Sequence, residues 1–437
     1  MSYQDALKYV RNLQKIETIP CKNFVHYGNI TYGVYQEMSL VCHKRIFEEI
    51  LDISPQYGIL FGQLFVLPLA DLFGRKRVIR WGWNALIFST IMTPSTTFVE
   101  TIILGRFFAG VGFSAMFLPV QAISQFSLVE ISTIRKRPYR FVITYIGAGL
   151  SWIITPLLVK NITHWRYLHW VLATPLLLIP LMIWFLPESP LWFISRQMKD
   201  KGREILQALK DPVKQEELLL EHMNEKVFKS DTFQNDYRKL RLFFKPGIWL
   251  LILLGAITGS VYFKGIFERF IFPLCISRQD YYILSGGIEI VTNLLCIILT
   301  LKCNRRHYVI ATSLLVTCLG YFAAFALNEN SIMHLIMIAV ADISSSITYV
   351  VISLLITTIS STKYRCTCTG LLNGLGFTMG TIVTNHFQHH LIKKTPALFL
   401  VLSIVSFIGS IVSYFSPLIN EEDELSENMD DNKTWDP

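Results

Sequence analysis

Long uncharged stretches are the feature that most constrains how this chain folds. About eleven blocks of roughly 20 residues, the length of a membrane-spanning helix, hold almost no Asp, Glu, Lys or Arg and make up about half of the chain. The chain is 52% hydrophobic and 16% charged, whereas a soluble domain is about 25% charged. These proportions exclude a soluble enzyme, a disordered scaffold and a nucleic-acid-binding protein.

The blocks predict an all-α polytopic membrane protein. In lipid every backbone amide needs a partner within the protein, and a barrel strand would span in about 10 residues of alternating pattern, so uninterrupted apolar blocks favour helices. The predicted spans cover residues 56–72, 78–96, 102–126, 141–159, 167–186, 248–266, 282–301, 308–327, 332–357, 369–387 and 396–415.

The connectors divide the chain into domains and orient it. Those that follow the odd-numbered blocks carry most of the cations, and an excess of Lys and Arg marks the cytosolic side. We therefore expect an exterior segment at 1–55 and an acidic cytosolic tail at 417–437. The only long connector, 191–246, separates five predicted spans in 56–190 from six in 247–416. Two half-bundles joined by a charged loop are typical of carriers built from parallel repeats.

Several motifs stand at the ends of the predicted helices. DLFGRKR at 71–77 resembles the G-x-x-x-D-R-x-G-R-R loop of the major facilitator superfamily, with a tight turn at Gly74. RFFAGVG at 106–112 is similar to the R-F-x-x-G-x-G of that superfamily's fourth helix, and PESPLW at 187–192 is similar to the P-E-S-P-R-W after its sixth. The resemblance implies the major facilitator fold, in which two halves rock around a site near the membrane midplane.

Three further stretches favour the organic cation, carnitine and anion transporters within this superfamily. EMSLVC at 37–42 resembles E-W-D-L-V-C, HWRYL at 164–168 resembles D-W-R-W-L, and LSGGIEI at 284–290 resembles L-S-x-L-V-E-I-P. The resemblance places Met1 inside the large exterior loop of that family. We therefore expect the family's first helix to be absent and the N-terminal half to contain five helices.

Ionisable groups inside the predicted spans are candidate substrate ligands, because they are costly in lipid. Glu289 matches the family's acidic residue, and it either attracts cations or pairs with a neighbouring helix. Asp342 stands where the family has Lys or Arg; either it favours cationic or neutral substrates together with Glu289, or it is protonated or shielded. In relatives, charged residues at two further positions match the charge of the substrate. Here these positions hold the uncharged residues Asn293 and Thr378, so the sequence leaves the sign of the substrate's charge open.

An aromatic pair belongs to the same predicted site. Tyr262 and Phe263 resemble a pair on the family's seventh helix. They either stack on a cationic substrate or serve packing alone.

Carboxylate–guanidinium clusters hold the cytosolic gate in the family. The resemblance implies the following gating residues: Asp71, Gly74, Arg75, Arg77, Arg106, Glu130, Arg137, Glu188, Arg305 and Arg365. In the second half the acids are replaced, with Leu301 where Asp is expected and Thr358 where Glu is expected. Uncompensated charges at a partly buried gate cost on the order of several kcal/mol, so we expect an altered gate or a protein that has drifted from transport.

The predicted exterior segment carries two further features. Asn29 begins a glycosylation sequon. Cys21 and Cys42 lie on the same side, where oxidation is permitted, and we expect them to form a disulfide. We expect no metal site, no catalytic constellation and no cofactor, because neither a metal-ligand cluster nor a nucleophile with its base is legible.

The sequence thus predicts a carrier of small organic ions that works by alternating access in a lipid bilayer. The family resemblance implies that this bilayer is the plasma membrane. The substrate would be an organic cation, a carnitine-like zwitterion or an organic anion, and no coupling ion is indicated. Two alternatives stay open. One is a non-transporting or truncated relative with an interaction or regulatory role, and the lesser one is a sugar porter.

Overall fold

The computed structural model describes residues 33–40, 44–129, 137–185, 188, 252–259, 278–302, 306–327, 332–359, 365–380, 382 and 395–415. The regular elements within these ranges are all helices. The predicted all-α architecture is therefore confirmed for the described part of the chain.

Within the described residues, the N-terminal part contains eight α-helices. One long helix is composite, because Arg45–Phe61 (α2) continues through the π-helical segment Gly62–Val66 (π1) into Leu67–Phe73 (α3). The remaining bounds are Val34–Glu37 (α1), Arg75–Ser95 (α4), Val99–Val129 (α5), Arg137–Asn161 (α6), Trp165–Ala173 (α7) and Ile179–Phe185 (α8).

The C-terminal part forms one packed bundle. Its helices are Arg278–Lys302 (α9), Arg306–Ala326 (α10), Ile332–Ile359 (α11), Arg365–Leu371 (α12) and Thr395–Phe415 (α13), and α12 runs on into the π-helical segment Leu372–Thr378 (π2). Helix α10 packs against both α11 and α13. A single hydrophobic core joins the helical residues 252–259 to α9, α10, α11 and π2.

Five of the described helices are long and apolar enough to cross a bilayer. They contain Ile46–Phe73, Val99–Met116, Tyr282–Thr300, His307–Ala326 and Ile332–Leu355. These windows lie over five of the predicted apolar blocks, as expected for a polytopic membrane protein. Many large apolar side chains on these helices remain exposed in the isolated protein, which is the surface that lipid covers.

Two predicted spans differ in detail from the structure. The first block begins at residue 56, but its helix begins at Arg45, because apolarity marks the lipid-covered part of a helix and not its charged first turns. The block at 167–186 forms two α-helices separated by the 3-10 segment Thr174–Leu178. Pro175 lies in that segment, and a proline removes a backbone donor and so breaks an α-helix.

The ends of the bundle are named here after two carboxylates. From Arg45 to Phe73 the composite helix spans about 40 Å at 1.5 Å per residue. Its C-terminus and the turn at Gly74 define the Asp71 end, which the positive-inside rule predicts to be cytosolic. The opposite end, called the Glu37 end, holds the N-terminus of this helix. Gly74 has φ 102°, a conformation that strongly favours glycine.

The two halves touch along α6 and α9. A Cβ atom on Gly286 would lie 2.7 Å from the carbonyl oxygen of Gly149. Nearby, the Trp152 and Tyr282 rings stack with centroids 5.8 Å apart and planes 4° apart. The absence of a side chain at Gly286 therefore permits the backbone contact that brings these aromatic rings together.

This contact yields a test with a matched control. Gly286→Val should lower the thermal melting temperature in detergent, because overpacking of this kind costs about 1–3 kcal/mol. Gly287→Val is the control, because a Cβ atom there meets nothing within 4 Å. Equal melting temperatures for the two variants would contradict the described contact between α6 and α9.

Candidate functional site

At the Asp71 end, a carboxylate of the N-terminal half binds the first turn of a helix of the C-terminal half. Asp71 Oδ2 accepts hydrogen bonds from the backbone N–H and the hydroxyl of Thr367, both at 2.8 Å. Asp71 Oδ1 accepts a third from the N–H of Cys366 at 3.3 Å. The first N–H groups of a helix have no partner within it, and a carboxylate suits both their donors and the helix dipole.

A second carboxylate caps the helix that follows Gly74. Glu188 accepts the backbone N–H of Arg75 at 3.1 Å and that of Lys76 at 3.2 Å. Two of the predicted gating acids therefore bind backbone amides at helix starts. Arg75 is fully buried, Arg365 is buried at the start of α12, and Arg77 is exposed.

From Asp71 toward the middle of the bundle, α3 and π1 of the N-terminal half remain in contact with α12 and π2 of the C-terminal half. Leu67, Ala70 and Val78 of the N-terminal half enclose the side chain of Cys366, which is 2% exposed. A Cβ atom on Gly370 would lie 2.4 Å from the carbonyl oxygen of Gln63, so only glycine allows this approach. We call this contact of π1 and α3 with α12 and π2 the seam.

The seam ends in a hydrogen bond between two side chains. The Thr378 hydroxyl donates to Gln63 Oε1 at 2.6 Å, and the two residues are 4% and 6% exposed. Gln63 lies in π1 and Thr378 in π2. This bond joins the two halves deep within the bundle.

Arg106 lies elsewhere than the sequence predicted. It donates to the carbonyl oxygen of Leu51 at 3.2 Å and pairs with Asp52 at 3.8 Å. Asp52 also accepts a hydrogen bond from the Tyr35 hydroxyl. These residues lie near the N-termini of α2 and α5. Both N-termini are at the Glu37 end, because the two helices run in the same direction. The grouping of Arg106 with the gating residues of the Asp71 end is therefore corrected.

At the Glu37 end, a partly buried ionic network connects the two family-like motifs EMSLVC and HWRYL. Arg166 pairs with Glu37 at 2.7 Å, and the indole N–H of Trp165 donates to the same carboxylate at 2.6 Å. Arg166 also donates to the carbonyl oxygens of Pro94 and Thr96. The network holds the segment before α2 against the turns that follow α4 and α6.

The predicted substrate residues that the structure describes lie in the C-terminal half. Glu289 is half-buried on α9, and Asn293, one turn further on, is 2% exposed. Asp342 Oδ1 accepts a hydrogen bond from Tyr321 Oη at 3.1 Å, which turns this carboxyl group toward α10. Thr378 is bonded to Gln63 across the seam.

Several predicted residues fall outside the description. Seven of them lie outside the described residues: Tyr262, Phe263, Glu130, Arg305, Asn29, Cys21 and Cys42. Arg137 is described only as the first residue of α6.

Sequence reasoning missed Gln63 and Tyr321. A signal for Gln63 existed, because it is an uncharged polar residue in the middle of the first apolar block and a buried amide needs a partner. Tyr321 carried no comparable signal, since tyrosines are common in membrane helices.

The family model described as Major Facilitator Superfamily matches residues 50–287 and 281–435. The chain belongs to this superfamily. Its fold also matches a solved member, the proton:xylose symporter XylE of E. coli with 6-bromo-6-deoxy-D-glucose bound, at a TM-score of 0.72 and 14% identity, over 86% of this chain and 87% of that one.

Curated relatives of this superfamily member include organic ion transporters. Organic cation transporter 1 of Caenorhabditis elegans is 23% identical over 338 residues, or 72% of this chain and 55% of that protein. Organic anion transporter 3 of Pongo abelii is 25% identical over 313 residues, or 68% of this chain and 56% of that protein. The chain thus spans about half the length of these two relatives.

The network at the Glu37 end makes stability depend on pH. The hydrogen bonds from Arg166 are the main reason why the pKa of Glu37 is held below its ordinary value. A carboxyl group with a depressed pKa stabilises the fold at neutral pH and loses this contribution as the pH falls through its folded-state pKa.

We expect Glu37→Gln to lower the melting temperature at pH 7, and the difference from the wild type to shrink as the pH falls below the ordinary carboxyl range. Glu100→Gln is a suitable control, because Glu100 is exposed. Thermal melting of both variants in detergent from pH 7 down to about pH 2.5, which extends below the ordinary carboxyl range, checks this. A difference that stays constant across the range would contradict the ionic role of Glu37.

Proposed function

We propose that this chain carries small organic ions across a membrane by alternating access of its two half-bundles. The observation that carries the proposal is the seam, where a carboxylate of one half caps a helix of the other. The named organic cation and anion transporters among its relatives support the substrate class. The plasma membrane is the expected location.

The chemistry of the seam suits a contact that must open. Its described polar contacts are the hydrogen bonds to Asp71, each contributing about 1.5–3 kcal/mol because the acceptor is charged, and the neutral bond between Thr378 and Gln63. Water can replace these bonds when the Asp71 end opens. A gate of this kind is stable in its closed state and still opens at a modest cost in free energy.

The charges of the C-terminal spans favour cationic or neutral substrates over anions. The described spans 282–300, 307–326 and 332–355 contain Glu289 and Asp342 and no Lys or Arg. The hydrogen bond from Tyr321 favours a role for Asp342 in holding α11 against α10. We therefore assign the attraction of a cationic substrate to Glu289.

The test is uptake into liposomes by the reconstituted full chain, with a radiolabelled panel of organic cations, carnitine, dicarboxylates and hexoses. We expect uptake of at least one cation or zwitterion. Glu289→Gln should reduce it about tenfold or more, because an ionic hydrogen bond contributes on the order of 1.5–3 kcal/mol. Asp342→Asn is the comparison variant and should retain a hydrogen-bond acceptor for Tyr321 and most of the uptake.

Two results would contradict this assignment. Uptake of a cation that is unchanged by Glu289→Gln would remove the proposed role of that residue. Uptake of hexoses alone would favour the sugar porter, for which the likeness to XylE supports the fold only.

A non-transporting relative is the second candidate function. The replacement of second-half acids by Leu301 and Thr358 favours it, whereas the intact Asp71 contact with α12 opposes it. A folded, reconstituted chain that carries no member of the panel would support this candidate.

A further inference from the structure

The bond between Gln63 and Thr378 differs from the other hydroxyl contacts that the structure describes within the C-terminal half. Ser313 with Thr348, and Thr317 with Ser344, pair at 2.7 and 2.8 Å and join α10 to α11 inside one half. The Gln63–Thr378 bond is as short and as buried, but it joins the halves. Any motion that separates the halves along the seam must break it.

Both residues of this bond lie in π-helical segments. Segments π1 and π2 face each other, because a Cβ atom on Gly374 of π2 would lie 2.9 Å from the Leu64 side chain of π1. A π-helical turn interrupts the regular i→i−4 ladder, occurs often at functional sites and permits bending of the helix. The two helices of the seam therefore depart from regular α-geometry at the point where this side-chain bond joins them.

We propose that Gln63 and Thr378 form a latch that holds the Asp71 end closed, and that Gln63 is a positioning residue for transport. This inference rests on the proposed alternating-access function and adds a residue to its gate. The latch acts together with the Asp71 cap, since the two contacts lie at opposite ends of one seam. Loss of the latch weakens the closed state and leaves the interior of each half unchanged.

Cys366 reports the opening of the seam without requiring a substrate. Its thiol belongs to the C-terminal half but is enclosed by Leu67, Ala70 and Val78 of the N-terminal half. It is 2% exposed while the seam is closed. When the seam separates, the thiol becomes accessible to alkylation by N-ethylmaleimide.

The experiment measures the alkylation rate of Cys366 by mass spectrometry of the reconstituted full chain, in a Cys368→Ser background that removes the neighbouring thiol. Thr378→Val preserves the shape of the side chain and removes the hydroxyl, and Gln63→Leu removes the acceptor. Each should raise the rate about fivefold, the population shift that the loss of one neutral hydrogen bond of about 1 kcal/mol produces. The double variant should react no faster than the faster single variant, because both remove the same bond.

Three controls separate a latch from general loosening. Thr378→Ser retains the hydroxyl and should react at the wild-type rate. Thr348→Val removes a buried hydroxyl bond within the C-terminal half and should leave the Cys366 rate unchanged. Cys296, fully buried in the core of the C-terminal half, monitors unfolding, and all rates are expressed as the ratio of Cys366 to Cys296 alkylation.

A ratio that rises in Thr378→Val and Gln63→Leu but not in Thr378→Ser or Thr348→Val supports the latch. A ratio that stays at the wild-type value in both single variants overturns it, and so does an equal rise in Thr348→Val. Since alkylation needs no substrate, a chain that carries no ion would contradict the proposed function while the ratio still decides whether the latch exists.

Discussion

Carboxylates that satisfy the open amides of helix starts are the interaction on which the Asp71 end depends. Asp71 binds the first turn of α12, and Glu188 binds the first turn of α4. While the Asp71 end is closed, these helix starts are buried from water, so a missing carboxylate would leave amides unsatisfied. One of these contacts is internal to the N-terminal half, and the other crosses to the C-terminal half.

The contrast between contacts within a half and contacts between halves explains how a rigid fold could open. Inside the C-terminal half, hydroxyl pairs, the Tyr321–Asp342 bond and a continuous apolar core hold α10 and α11 together. Between the described parts of the halves, glycines bring the backbones together, and the polar contacts of the seam are those of Asp71 and of Gln63 with Thr378. Each half can therefore move as one body, while the seam holds the contacts that change.

Much of the Asp71 end could be predicted from the sequence, because sequence motifs reflect what the local backbone conformation requires. Gly74 was predicted from its turn and has the positive φ that a turn of this kind requires. The motifs around Glu37 and Arg166 were recognised separately, but their contact depends on how three turns come together, and sequence spacing does not contain this. Arg106 was grouped with the wrong end because its charge was considered without the direction of its helix. Gln63 could not be paired in advance, since its partner is 315 positions away.

The most direct test of the account measures both ends of the bundle at once. Spin labels at Arg77, in the first turn of α4, and at Tyr308, in the first turn of α10, report the Asp71 end. Labels at Thr97, between α4 and α5, and at Asp280, in the first turn of α9, report the Glu37 end. Double electron–electron resonance on the full chain in nanodiscs, with and without the cation that uptake identifies, gives the two distances. Alternating access predicts that the first distance lengthens as the second shortens. Two distances that stay fixed under every condition, while uptake proceeds, would contradict the rocking of two halves about the seam.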